Sequence, residues 1–288
     1  MGSILDFVRN GVVLGSAVLV AGLAAAETPV LDVDPSAGCG TRETPPPQQF
    51  RVSGVEREAI VVVPDAYTAD QPHALVFGFH GRTNENTQVR RYFGLERAAA
   101  LDAIFVYPQG LPDETGNFTW ADPGDPADEL RDYTLFDLIL ETIGEAYCID
   151  RNAVFVVGHS LGATFANSLA CARADEVRGL ASVAGGIDPA QCPEDVAALL
   201  LHNPRDEAVP LSEGERARDH LLTQREALGA AEETSVGGFD CRQYSEDENP
   251  LLWCLYSQDF TARGRFYPHQ WPDGASETIM RFFRELRD

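Results

Sequence analysis

Short apolar runs separated by amphipathic stretches recur along most of this chain. Residues 74–79, 103–107, 153–157, 180–183, 197–201 and 252–256 are almost wholly apolar, the composition of strands buried on both faces of a parallel sheet. Two earlier runs, 50–53 and 59–63, read as an opening antiparallel pair. Between them lie helical patterns at 86–101, 130–146, 160–172, 212–228 and 275–286. In the second, Leu135, Leu138, Ile139 and Ile143 fall on one helical face. This alternation predicts an α/β chain: a mostly parallel, eight-stranded, doubly wound sheet with helices on both faces. Residues 27–48, with Pro45, Pro46 and Pro47, read as an irregular lead-in, and the Asp- and Pro-rich stretch 121–129 as a surface loop.

The first residues follow a different pattern. Arg9 precedes an apolar stretch, 11–23, that ends in Ala24, Ala25 and Ala26. A charged start, an apolar core of about 13 residues and small residues at the end are the marks of a secretory signal. The stretch is short of the roughly 20 residues that span a bilayer. We read residues 1–26 as a signal peptide cleaved after Ala26, with an uncleaved anchor as the alternative. The remaining residues, 27–288, suit one large catalytic domain, secreted to the medium or a periplasm.

Six cysteines fit that destination. None forms a C-x-x-C pair, and an even count in an exported chain suggests disulfides. Sequence does not select the connectivity. Chain order places Cys148 and Cys171 at one end of the sheet and lets Cys241 and Cys254 close a short excursion, which leaves Cys39 with Cys192.

Charge narrows the partners. The chain carries 45 acidic residues against 22 basic ones, all arginine, for a net charge of −23. Neither nucleic acid nor an anionic membrane surface suits such a balance. A saline habitat or arginine-favouring codon usage would each account for the missing lysine.

The chemistry is signalled at Gly158-His159-Ser160-Leu161-Gly162, between an apolar run and a helical pattern. A G-x-S-x-G match is weak alone, but the strand–turn–helix setting gives it meaning, because the glycines permit a strained turn that presents the serine above the sheet. Ser160 therefore reads as a nucleophile; the alternative is a helix-capping serine. A serine hydroxyl needs a base, and the base needs an orienting carboxylate. Of the six histidines only His269 follows the final strand, where the base is expected in the order Ser, acid, His. The loop after run 197–201 supplies Asp206 as the acid, with Glu207 and Asp188 as alternatives. Oxyanion donors are expected from the backbone N–H of Leu161 and, in the His80-Gly81-Arg82 turn, of Arg82. His80 itself reads as a loop support. No metal spacing or phosphate-binding glycine loop is present, so the chemistry reads as needing no cofactor.

Several further motifs accompany the elbow: Ala37-Gly38-Cys39-Gly40, Phe79-His80-Gly81, Tyr92-Phe93-Gly94-Leu95-Glu96, Phe105-Val106-Tyr107-Pro108-Gln109-Gly110, Phe118-Thr119-Trp120, Tyr147-Cys148-Ile149-Asp150, Leu169-Ala170-Cys171 and His269-Gln270-Trp271-Pro272. In this order they resemble the secreted family of polyhydroxybutyrate depolymerase-like, feruloyl and acetylxylan esterases. The resemblance implies an α/β-hydrolase fold, a Ser160–Asp206–His269 triad and ester hydrolysis through an acyl-enzyme. The chain departs from the family pattern at His202-Asn203, where His-Gly is usual, and at Tyr267-Pro268, where glycines are.

The expected substrate is therefore a small or oligomeric ester: a feruloyl or acetyl ester of plant polysaccharide, or a hydroxybutyrate oligomer. Trp120, Trp271 and Tyr107 are candidates for lining its site. The expected state is a monomer, free of the membrane after signal cleavage. A peptidase of the same fold and a catalytically silent binding protein are the competing readings. A peptidase would need an element that recognises a peptide amine or carboxylate, and a silent protein has no use for all three triad residues.

Overall fold

A computed structural model describes residues 33–41, 44–98, 102–121, 126–188, 192–223, 231–244 and 248–287. The signal-peptide reading lies outside these residues. The strands are β1 (Gln49–Val52), β2 (Val55–Val62), β3 (His73–Phe79), β4 (Ala103–Pro108), β5 (Leu111–Pro112), β6 (Phe118–Thr119), β7 (Ile149–His159), β8 (Gly179–Val183), β9 (Ala197–His202), β10 (Glu232–Val236), β11 (Phe239–Gln243) and β12 (Leu251–Leu255). The helices are α1 (Asn86–Phe93), α2 (Pro126–Ala146), α3 (Leu161–Ala172), α4 (Leu211–Leu222) and α5 (Ala275–Arg287).

Ten strands form one sheet in the order β1-β2-β4-β3-β7-β8-β9-β12-β11-β10, and β5 and β6 form a separate small pair. The six central strands, β4 to β12, run parallel, and an antiparallel pair closes each side. Every residue of β3, β4, β8 and β9 is buried, as the unbroken apolar runs require. Two cores flank the sheet. Leu135, Ile139 and Ile143 of α2, Phe165 and Leu169 of α3 and Leu221 of α4 pack on one face; Val89 and Phe93 of α1 and Ile279, Phe283 and Leu286 of α5 pack on the other.

The eight expected strands are all in the sheet, and the β10–β11 hairpin adds two more. The polar sequences EETSV and FDCRQ hide this hairpin. Its signal is the Gly237-Gly238 pair, at φ 61° and 87°, which suits the tight turn that a two-residue hairpin needs. Helix α1 stops at Phe93, short of the expected 101, because Gly94 takes the left-handed conformation at φ 58° and its N–H caps the Arg90 carbonyl. Helix α2 begins at Pro126, inside the stretch expected to be a loop; proline suits a first helical turn, where its missing N–H is no loss.

The disulfides join Cys39 to Cys148, Cys171 to Cys192 and Cys241 to Cys254. The last matches the expectation; the other two correct it. Pro35 bridges Asp150 antiparallel and the Ser36 N–H bonds the Ile149 carbonyl at 2.9 Å. The lead-in is thereby brought to the start of β7, where Cys39 meets Cys148.

Candidate active site

Ser160 stands between β7 and α3 at φ 57° and ψ −126°, a backbone conformation that L-residues rarely adopt. The surroundings hold it there. The Ser160 N–H donates to the Val183 carbonyl at 3.0 Å, and its own carbonyl accepts from the Ala163 and Thr164 N–H groups at 2.9 and 3.0 Å. A Cβ on Gly162 would overlap the Phe79 and His80 carbonyls, so the elbow packs directly against the end of β3. These contacts explain why the two glycines flank the serine.

His269 bridges the other two sequence-selected residues. Its Nε2 lies 2.8 Å from Ser160 Oγ and its Nδ1 lies 2.6 Å from Asp206 Oδ2. Asp206 Oδ1 accepts the Ala208 and Val209 N–H groups at 2.9 and 3.0 Å. Burial pushes the Asp206 pKa up, but the bond from His269 and the two N–H groups outweigh it and hold the carboxyl below its ordinary value. The alternative acids are placed elsewhere: Glu207 is exposed, and the Asp188 N–H bonds Ser168 Oγ at 3.3 Å. The three groups can pass a proton from Ser160 Oγ to His269 while Asp206 holds the imidazole orientation.

Two loops carry the acid and the base, and polar side chains join them. Asn203, fully buried, takes the Arg205 N–H on Oδ1 at 2.9 Å and donates through Nδ2 to Asp259 Oδ1 at 3.1 Å. The departure at His202-Asn203 thus ties the acid loop to the base loop. Tyr256 donates its hydroxyl to the Gln270 carbonyl at 3.0 Å, beside His269, and Gln270 Nε2 donates to the Gln258 carbonyl at 2.8 Å. His202 accounts for a third contact, with Nε2 at 2.9 Å from the Val209 carbonyl; burial lowers its pKa against that bond.

The turn expected to supply an oxyanion donor packs against the elbow. A Cβ on Gly81 would stand 3.2 Å from Ser160 Cβ and 3.3 Å from the His159 carbonyl, and Arg82 is the next residue along the turn. The Leu161 N–H lies at the first turn of α3, where intrahelical acceptors are lacking. His80 holds the turn in place: Nδ1 lies 2.9 Å from the Gly81 carbonyl, and Nε2 accepts the Gly110 N–H at 2.9 Å. Burial is the main cause that pushes the His80 pKa down to about 4, against the pull of Gly81 and Asp132. The neutral ring is a support. Beneath it, the buried Arg57–Asp132 pair at 2.5 Å fixes the neighbouring chain, with Arg57 donating to the Gln109 carbonyl and Asp132 accepting the Ala121 N–H at 2.7 Å.

The three aromatic candidates separate. Tyr107 is wholly buried and bonds Glu96 at 3.1 Å; Trp120 is 5% exposed, stacks on Phe165 and donates to the His80 carbonyl at 2.7 Å. Both are packing residues, a correction to the expectation that they line the site. Trp271 is half-buried, stacked 4.0 Å from Phe93 and edge-on to His159. It adjoins the site while resting on core.

Sequence reasoning passed over His159 and Tyr92. The His159 ring lies 5.1 Å from that of His269, at 28°, and its Nδ1 is 3.2 Å from the Tyr92 hydroxyl. Burial, with the neighbouring His269, pushes the His159 pKa down to about 3, so a neutral imidazole backs the base. The contact joins residues 67 positions apart in the chain, so no local pattern signals it. Near α4, His220 groups with Cys171 and Cys192, but the two sulfurs are joined to each other and are not metal-binding thiolates.

A mostly parallel sheet with helices on both faces and a serine elbow at the end of β7 defines an α/β-hydrolase. No family model matches the chain. It is 31% identical over 245 residues to the protein named probable feruloyl esterase C of Aspergillus oryzae, covering 79% of this chain and 81% of that one. It is 30% identical over 253 residues to feruloyl esterase D of Neurospora crassa, covering 78% and 82%. Among solved structures, esterase PE8 shares the fold at a TM-score of 0.53 and 18% identity, over 82% of this chain and 100% of that one. The chain belongs to the feruloyl esterase-like family of α/β-hydrolases and is a carboxylic ester hydrolase.

Proposed function

We propose that the protein is a secreted serine esterase that cleaves hydroxycinnamoyl esters of plant polysaccharide. The observation that carries the serine mechanism is the unbroken hydrogen-bond chain from Asp206 through His269 to Ser160, at 2.6 and 2.8 Å. Ser160 Oγ attacks the ester carbonyl as His269 Nε2 takes its proton. The carbonyl oxygen, now an anion, is received by the Leu161 and Arg82 N–H groups. When the intermediate collapses, the C–O bond to the alcohol breaks and His269 returns the proton to the departing oxygen. Water, activated by the same imidazole, then releases the acid and restores Ser160. The two relatives named feruloyl esterase support the acyl group, and three disulfides support an oxidising compartment outside the cytosol.

The test is a rate comparison on methyl ferulate, acetylated xylan and 3-hydroxybutyrate oligomers, with Ser160→Ala as the blank. Ferulate is expected to be the preferred acyl group, and a fluorophosphonate is expected to label Ser160 alone. Equal rates for enzyme and blank would overturn the serine mechanism. A preference for hydroxybutyrate would overturn the substrate.

A further inference from the structure

Phe260, Phe266 and Tyr267 are 56%, 40% and 36% exposed. Large aromatic side chains left in water at one place mark a contact surface rather than a packing error. All three stand on the loop between β12 and His269, and that loop is built rather than slack. Phe260 and Phe266 form an antiparallel bridge. The Thr261 N–H donates to the Arg265 carbonyl at 2.9 Å, the Tyr267 N–H donates to the Asp259 carbonyl at 2.7 Å, and Gly264 makes the turn at φ 76°. The Phe260 and Phe266 rings meet edge to face at 5.6 Å.

Two guanidinium groups stack on the rings of this hairpin, one from the acid loop and one from the hairpin itself, in a chain of net charge −23. Arg205 sits 4.8 Å over the Phe266 ring, and Arg265 sits 4.8 Å over the Tyr267 ring. Asp259 fixes Arg205 at 2.5 Å. Stacking orders each guanidinium and leaves edge N–H donors free to meet acceptors. The Tyr267 ring is in turn 6.1 Å from the His269 ring and perpendicular to it, so the surface runs up to the base.

The direction of the reaction assigns a side to this surface. The departing alcohol must take its proton from His269 Nε2, so it lies on the side of the loop that carries His269. We infer that the Phe260–Phe266–Tyr267 hairpin, with Arg205 and Arg265, is the subsite that receives the saccharide alcohol of the proposed ester. A sugar ring offers C–H faces that pack on aromatic rings and hydroxyls that accept from guanidinium N–H groups; a simple alkyl alcohol uses neither. This rests on the proposed function, both on the role of His269 and on a saccharide ester as substrate.

The experiment compares kcat/KM for a feruloylated arabino-oligosaccharide and for methyl ferulate, which share the acyl group and differ in the alcohol. In the double variant Phe260→Ala/Phe266→Ala the ratio of sugar ester to methyl ester is expected to fall about tenfold, the loss of one or two aromatic contacts. Phe260→Trp is expected to keep the ratio. An unchanged ratio overturns the inference, and so does an equal loss on both esters, which would mean that the loop merely supports His269. Binding of the unesterified oligosaccharide, read by NMR titration of wild type and double variant, judges the subsite even if neither ester is cleaved: loss in the variant supports it, and no binding to wild type overturns it. Elution of wild type as a dimer and of the variant as a monomer would give the surface to a second copy of the chain and overturn the inference.

Discussion

Gly158 and Gly162 lie so close across the elbow that a Cβ on the first would overlap the carbonyl of the second. The obstacle is backbone on both sides, so no rotamer change relieves it. Gly158→Ala is expected to destabilise the fold by more than about 3 kcal/mol, the upper range for overpacking a core that can relax. Urea unfolding measures it, and a midpoint equal to wild type would contradict the close approach.

Asp206 accepts from His269 and from two backbone N–H groups, while its neighbour Glu207 is exposed. Asp206→Asn is expected to lower kcat by about 10⁴-fold, the loss seen when a triad carboxylate becomes an amide and the imidazole turns to the wrong tautomer. Glu207→Gln is expected to stay near wild type. Steady-state kinetics on methyl ferulate check both, and the reverse pattern would move the acid to Glu207.

Burial drives the pKa of His80 down to about 4 and of His159 down to about 3. In the unfolded chain both return to an ordinary value near 6.5. Between these limits the unfolded state binds the extra protons, so stability is fully present above about pH 6.5 and declines as pH falls towards 4. For His80 the whole shift corresponds to about 3 kcal/mol. Denaturant unfolding from pH 7 to pH 4.5 is expected to show the decline, and His80→Asn to flatten its slope. An equal slope in the variant would mean that His80 titrates normally in the folded protein.

The disulfide loops differ widely in length: 109 residues for Cys39–Cys148, 21 for Cys171–Cys192 and 13 for Cys241–Cys254. On the chain-entropy account a loop near 100 residues contributes about 4.7 kcal/mol and one near 15 about 3 kcal/mol. Replacing Cys39 and Cys148 with alanine is therefore expected to lower Tm the most of the three pairs. Calorimetry ranks them, and mass mapping of non-reduced peptides checks the pairing. Equal losses for all three would set the entropy argument aside.

The sequence made the central sheet legible because a strand buried on both faces has to be apolar throughout, and β3, β4, β8 and β9 are. It made the elbow legible because two glycines are required where backbones touch. The β10–β11 hairpin escaped notice for the opposite reason: it lies at a solvent-facing edge, where Glu232, Glu233 and Asp240 are exposed. Tyr107 and Trp120 were misplaced since an aromatic residue near a catalytic motif looks alike whether it lines a cleft or supports a loop. The pairing of Cys39 depended on one long-range bridge, Pro35 to Asp150, that no local pattern records. The contact between Asn203 and Asp259 joins two loops far apart in sequence and is equally invisible there.

The outer strands of the sheet have a consequence for the crowded enzyme. At one side β1 is only four residues long; at the other β10 presents Glu232 and Glu233 to solvent. A second molecule that tried to extend the sheet along β10 would bring two more glutamates to the same rim, within a few ångströms. Mutual repulsion therefore grows where strand-to-strand hydrogen bonding would begin, and short or charged edges are a recognised guard against such joining. The guard is ionic, and concentrated salt screens it. Precipitation on salting, rather than on heating in dilute buffer, is the failure this edge invites.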